Sequence, residues 1–114
     1  MIDSQLDEEI VSRFSHQQII IYFNLYLKNA SVIIESMAPD FQNKDYESVR
    51  ARAHKLKGSS MVVGAKKMRE LASVIEQDAR EKNRADEEKL DKLKEQFVQL
   101  INLLKIRYNI SFEG

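Results

Sequence analysis

Apolar residues recur along this chain at three- and four-residue spacings, interrupted only by short polar stretches. That is the period of amphipathic helices, not of strands. Leu6, Ile10 and Phe14 form a first stripe; Ser4 as N-cap, with Asp7 in the first turn, predicts a short helix over about residues 5–14. Ser15 and Gln18 have the spacing of a capping box that opens a second helix. This helix is apolar nearly all round, from Ile19 through Leu27 and on to Val32, Ile33, Ile34 and Met37, so a central position is expected. Pro39 is expected to kink or end it. Asp45 is the predicted N-cap of a third helix that stops near Gly64, where glycine can take a left-handed conformation. A fourth helix is predicted from about Ala65 to Lys82 on Met68, Leu71, Ala72, Ile75 and Ala79. After a break at 83–86, a fifth runs from Glu87 to Tyr108 with Leu90, Leu93, Phe97, Leu100, Ile101 and Leu104 inward. Loops this short, with three glycines and one proline, imply an all-α architecture. The expected fold is an up-down antiparallel four-helix bundle with a short additional N-terminal helix, one domain over residues 1–114.

Composition narrows the function. Eighteen Lys and Arg balance eighteen Asp and Glu, which argues against a nucleic-acid partner. There is no cysteine, so disulfides, thiolate metal sites and cysteine catalysis are excluded. The N-terminus is acidic and the longest apolar run, Ile19 to Leu27, is far short of the ~20 residues that span a bilayer; neither a signal peptide nor a membrane partner is expected. A cytoplasmic protein is the resulting expectation. His16 has no ligating partner at i+3 or i+4, and no metal site is expected. No phosphate-binding loop or kinase motif is present. Glu70, Glu76 and Asp78 read as a solvated acidic face.

The third helix carries the candidate chemistry. At about 100° per residue, Val49, Ala53, Leu56, Ser60 and Val63 fall in one arc of roughly 80°, the core stripe. His54 lies roughly 140° from its centre, facing water, with Arg50, Lys57, Gly58 and Met61 at i−4, i+3, i+4 and i+7. A lone exposed histidine is most simply a surface residue, and Arg50 and Lys57 are most simply solvated. Gly58 is harder to place, since glycine inside a helix costs about 1 kcal/mol relative to alanine. It marks a kink, a tight helix contact, or close approach by something beside the imidazole. Because Gly58 shares the outer side with His54, internal packing explains it poorly.

The run His54-Lys55-Leu56-Lys57-Gly58-Ser59-Ser60, followed by Gly64-Ala65, resembles the signature of the histidine-containing phosphotransfer (HPt) family, and the helix pattern agrees over nearly the whole chain. The resemblance implies a phosphorelay intermediate without kinase or ATPase activity of its own. His54 would accept a phosphoryl group from a receiver-domain aspartate, through Nε2, and pass it to another. An imidazole suits this because it is largely neutral near neutral pH and leaves readily when a carboxylate attacks. Lys57 matches the family lysine that reaches the phosphoryl oxygens, and Gly58 the glycine that makes room for the receiver. Arg50 is an auxiliary cation outside the motif, and Lys55 points to another face. Ser59 and Ser60 turn away from His54 and read as structural, Ser60 with its hydroxyl bonding back to the Leu56 carbonyl.

Where many family members have glutamine, twenty-two residues after the histidine, this chain has Glu76; others, bacterial chemotaxis kinases among them, have glutamate bonded to the imidazole. Glu76 is either such an acceptor for Nδ1–H or a boundary carboxylate beside Ile75. Ile10 and Ile19 resemble apolar docking positions of the family, and with Gly58 and Met61 they make a candidate patch for partners. The implied partners are receiver domains of a hybrid histidine kinase or of response regulators, met by a monomeric carrier. No cofactor is expected, and any magnesium ion would belong to the receiver. A helical adaptor that binds partners without being phosphorylated is the alternative of a different class. The chain could also be one domain of a hybrid sensor kinase, which changes its setting and not its chemistry.

Overall fold

The computed structural model describes residues 5–81 and 86–112. Among them lie five helices: α1 (Glu8–Val11), α2 (His16–Gln42), α3 (Tyr46–Val63), α4 (Lys66–Glu81) and α5 (Glu87–Tyr108). Helix α2 packs on α3, α3 on α4, α4 on α5, and α5 back on α2, which closes an all-α four-helix bundle. Tight turns join α2 to α3 and α3 to α4, making those pairs antiparallel neighbours. Phe23, Leu27, Met37, Val49, Leu56, Met68, Ile75, Leu93, Leu100 and Leu104 are fully buried between them. The core stripe of α3 is the predicted one, Val49, Ala53, Leu56, Ser60 and Val63.

Local chemistry sets most helix ends where the sequence places them. Ser15 and Gln18 form a reciprocal capping box at the start of α2. Asp45 caps α3 and Asp86 caps α5. Gly64 ends α3 at φ +82, and a Cβ there would come within 3.1 Å of Val11 Cγ2 and 3.2 Å of the Asp7 carbonyl. The left-handed backbone favours glycine here, and a side chain would also crowd α1.

Four expectations need correction. Helix α1 starts at Asp7, whose carboxylate accepts from the Glu9 and Ile10 amides, and it ends at Val11; the expected cap Ser4 lies outside the described residues. The Asp7 amide donates to the Gly64 carbonyl at 2.7 Å, and Glu8 holds Arg107 through two bonds at 2.6 and 2.7 Å, so α1 ties the α3–α4 turn to the last turn of α5. Helix α2 is not buried all round: Ile21, Leu25 and Val32 are exposed. Pro39 does not end α2, which runs on to Gln42. Pro39 and Glu35, the residue whose carbonyl loses its helical donor there, both face solvent, where water can satisfy the oxygen. Beyond the proline, buried Phe41 and an Asp40–Arg52 ion pair (2.5 Å) anchor the last turn.

The fourth correction concerns the serine pair. It is Ser59 that donates to the Leu56 carbonyl, at 3.1 Å, while Ser60 pairs with the Tyr26 hydroxyl at 2.7 Å across the α2–α3 interface. Ser60 is fully buried on the core stripe, and burial pushes the Tyr26 phenol up, so each hydroxyl depends on the other for its hydrogen bond. Tyr26→Phe should therefore cost about 1–2 kcal/mol in urea unfolding, because it leaves the Ser60 hydroxyl buried without its partner. Ser60→Ala should cost a similar amount, and the double variant clearly less than the two together.

Candidate functional site

Helix α3 packs most extensively against α4, and that pairing builds the site. The buried row of α4 is Met68, Ala72, Ile75, Glu76 and Ala79, so the spacing that buries its apolar residues also carries a carboxylate inward. Glu76 is only 2% exposed. A charge so enclosed needs donors, and three arrive. Lys57 Nζ lies 2.6 Å from Oε1; His54 Nδ1 and Arg80 Nη2 lie 2.7 and 2.8 Å from Oε2. His54 and Lys57 sit one turn apart on α3, and Arg80 one turn beyond Glu76 on α4.

The electrostatics fix the proton on His54. Burial pushes the Glu76 carboxyl up, but the hydrogen bonds and charges of Lys57 and His54 outweigh it and hold the group below its ordinary 4.5. At neutral pH Glu76 is thus a carboxylate, which can only accept. Nδ1 of His54 must be the donor, and in the neutral ring Nε2 keeps its lone pair. The His54 side chain is 63% exposed, so this lone pair belongs to an imidazole open to an incoming group.

The other sequence-nominated residues divide. Gly58 is part-exposed and a Cβ there would meet nothing within 4 Å, so no contact inside the fold demands glycine. Met61 is half exposed, one turn further along the same side. Arg50 is bound to Glu47 at 2.5 Å, one turn back towards the start of α3. Ile10 is half-buried against Gly64, about 15 Å along the α3 axis from His54. Ile19 is buried in the core, on the inward face of α2, and presents almost nothing to a partner. The acidic trio is no solvated face: Glu76 is buried and Asp78 is held by Lys89, leaving Glu70 exposed.

Two features escaped the sequence reading. Arg80 belongs to the cluster; its i,i+4 spacing from Glu76 was visible, but not that Glu76 faces His54. An apolar groove between α2 and α3 is lined by Phe14, Tyr22, Leu25, Tyr26, Ser59 and Val62, the last of these one turn beyond Gly58. Leu25 and Val62 are 57% and 70% exposed, and their helical spacing alone gave no sign that they converge. Among the described residues no metal-ligating side chains converge in threes, and no helix is long and apolar enough to cross a membrane.

The bundle thus presents His54 as an exposed imidazole whose Nδ1 is anchored on a buried carboxylate, at an open helix surface and not in a cleft. The Hpt domain family model matches residues 22–104, and the chain belongs to that family. No curated protein and no solved structure matches it significantly. Hpt domains carry phosphoryl groups by histidine phosphotransfer in phosphorelays and have no catalytic activity of their own.

Two stability measurements probe this geometry. The Glu76 carboxyl titrates lower folded than unfolded, so the unfolded chain binds more protons on acidification. Its stabilisation is complete above the ordinary 4.5 and is lost as pH falls through the lowered folded value. Glu76→Gln should cost about 2 kcal/mol near neutral pH, and urea midpoints measured down to pH 3 should show that gap closing. Gly58→Ala should raise stability by about 0.5–1 kcal/mol, read as a higher Tm, because the added methyl enters open space in mid-helix.

Proposed function

We propose that His54 is the phosphoacceptor of a phosphorelay, taking a phosphoryl group from a receiver-domain aspartate and giving it to another. The observation that carries this reading is the His54 Nδ1–Glu76 hydrogen bond of 2.7 Å, which leaves Nε2 as the nucleophile on an exposed ring. In the forward step Nε2 attacks phosphorus, the N–P bond forms, and the acyl phosphate P–O bond breaks to release the aspartate carboxylate. The ring then carries a positive charge, which the Glu76 carboxylate opposite Nδ1 stabilises. Reversal needs only a second carboxylate, since no proton leaves the ring in either direction.

Lys57 is the nearby cation for the phosphoryl oxygens, and Gly58 leaves the open approach that an aspartate at the bottom of a receiver site requires. The flanking contact surface is drawn from Arg50, Met61 and the exposed Leu25 and Val62 of the α2–α3 groove. Ile19, being buried, is left out of it. The receivers belong to hybrid kinases or response regulators, which places the exchange in the cytoplasm, with one carrier monomer per receiver.

The test is transfer from labelled phospho-receivers of the source genome. Wild type should take up acid-labile label and His54→Gln none, with an unchanged circular dichroism spectrum because His54 is mostly exposed. Glu76→Ala should slow transfer by about 10- to 100-fold; an unchanged rate removes Glu76 from the mechanism. Failure of wild type to accept label from any receiver, with partner binding intact in His54→Gln, would establish the non-phosphorylated adaptor instead.

A further inference from the structure

Arg80 lies outside the recognised motif, yet its Nη2 shares Glu76 Oε2 with His54 Nδ1, at 2.8 and 2.7 Å. Lys57 occupies the other oxygen, Oε1, at 2.6 Å. With His54 neutral, Glu76, Lys57 and Arg80 together hold one net positive charge. Arg50 adds none, because Glu47 neutralises it.

Phosphorylation changes that balance. Attack by Nε2 makes the ring a cation and adds a dianionic phosphoryl group, so the site gains one negative charge overall. With Arg80 the cluster then becomes neutral; without it, the cluster would carry a net negative charge around a buried carboxylate, which is costly. There is a geometric counterpart. Lys57 is bound to Oε1, and turning its ammonium toward phosphoryl oxygens on the Nε2 of His54, a residue one helical turn away, draws it off that oxygen. Glu76, at 2% exposure, cannot draw on water to replace it.

We propose that Arg80 is a positioning residue for phosphoryl transfer, keeping Glu76 paired while Lys57 turns from Oε1 to the phosphoryl oxygens. The proposal rests on His54 being the phosphoacceptor, but not on which receiver supplies the group. Its effect runs through Lys57, which distinguishes it from a general loss of stability.

Phosphoramidate, a small phosphodonor, tests this on the intact chain without any receiver. Nε2 attacks phosphorus, the N–P bond to the ring forms, and the donor's own P–N bond breaks to release ammonia. The uptake rate is followed by phosphorus NMR, with His54→Gln as the control for the labelled site. Arg80→Ala and Lys57→Ala should each slow uptake about tenfold. The double variant should be no more than about twofold slower than Lys57→Ala alone, and Arg80→Lys should stay within about threefold of wild type. Arg80 is 57% exposed, so Arg80→Ala and Arg80→Lys leave the fold in place, and circular dichroism with urea midpoints checks this for every variant, the double one included. An Arg80→Ala rate within twofold of wild type overturns the proposal. So does a full additional tenfold loss in the Lys57→Ala background, or a wild-type chain that takes no label at His54. If phosphoramidate labels His54 while no receiver does, the relay reading fails and the role of Arg80 is still decided.

Discussion

A carboxylate enclosed between two helices must have donors on both oxygens, and Glu76 imposes that condition on the whole α3–α4 pair. Left alone, it would cost several kcal/mol; one donor from its own helix and two from α3 remove the penalty. The requirement fixes how α3 is rotated against α4, because His54 and Lys57 must both face the same two oxygens. It also fixes the chemistry. Since the carboxylate can only accept, Nδ1 of the imidazole is the donor, and in the neutral ring Nε2 keeps its lone pair. One buried charge thereby joins the helix pairing to the tautomer of an exposed imidazole.

The outer side of α3 obeys the opposite constraint. Its inner stripe is filled with Val49, Ala53, Leu56 and Val63, whereas Gly58 near His54 leaves open space where a side chain would sit and gives up helix stability for it. What α3 loses at its midpoint is compensated at its ends. Asp40 grips Arg52 in its second turn, and Gly64 docks α1 beyond its last. Tyr26 and Ser60 pin the same helix to α2 from within the core. The histidine therefore rides on a helix braced at three places, which holds its ring in register with Glu76 and keeps the approach clear.

Local physics made much of this legible in the chain. The capping box at Ser15 and Gln18, the cap at Asp45, the left-handed stop at Gly64 and the buried stripe of α3 depend on residues within a few positions of one another. The exposure of His54 and the presence of Lys57 and Gly58 one turn away follow from helical spacing alone, and the His54 side chain is indeed mostly exposed. Where local signals compete, they mislead. Pro39 breaks a rule of helix interiors, but it faces water and the packing of Phe41 carries α2 past it.

Helical spacing along the chain was enough for the set of helices, the inward faces of α3 and α5, and His54 on the outer side. Which side chains from different helices meet depends on how the helices pack. Glu76 could have been a boundary carboxylate or a partner of the imidazole; the alignment of α4 on α3 makes it the shared acceptor of His54, Lys57 and Arg80. Ser60 could have bonded within its own helix, but its hydroxyl faces Tyr26 of α2. Ile19 resembled a docking residue until the bundle closed over it. The reason is common to all three: helical periodicity specifies a direction from one axis, and a contact needs the relative rotation and translation of two.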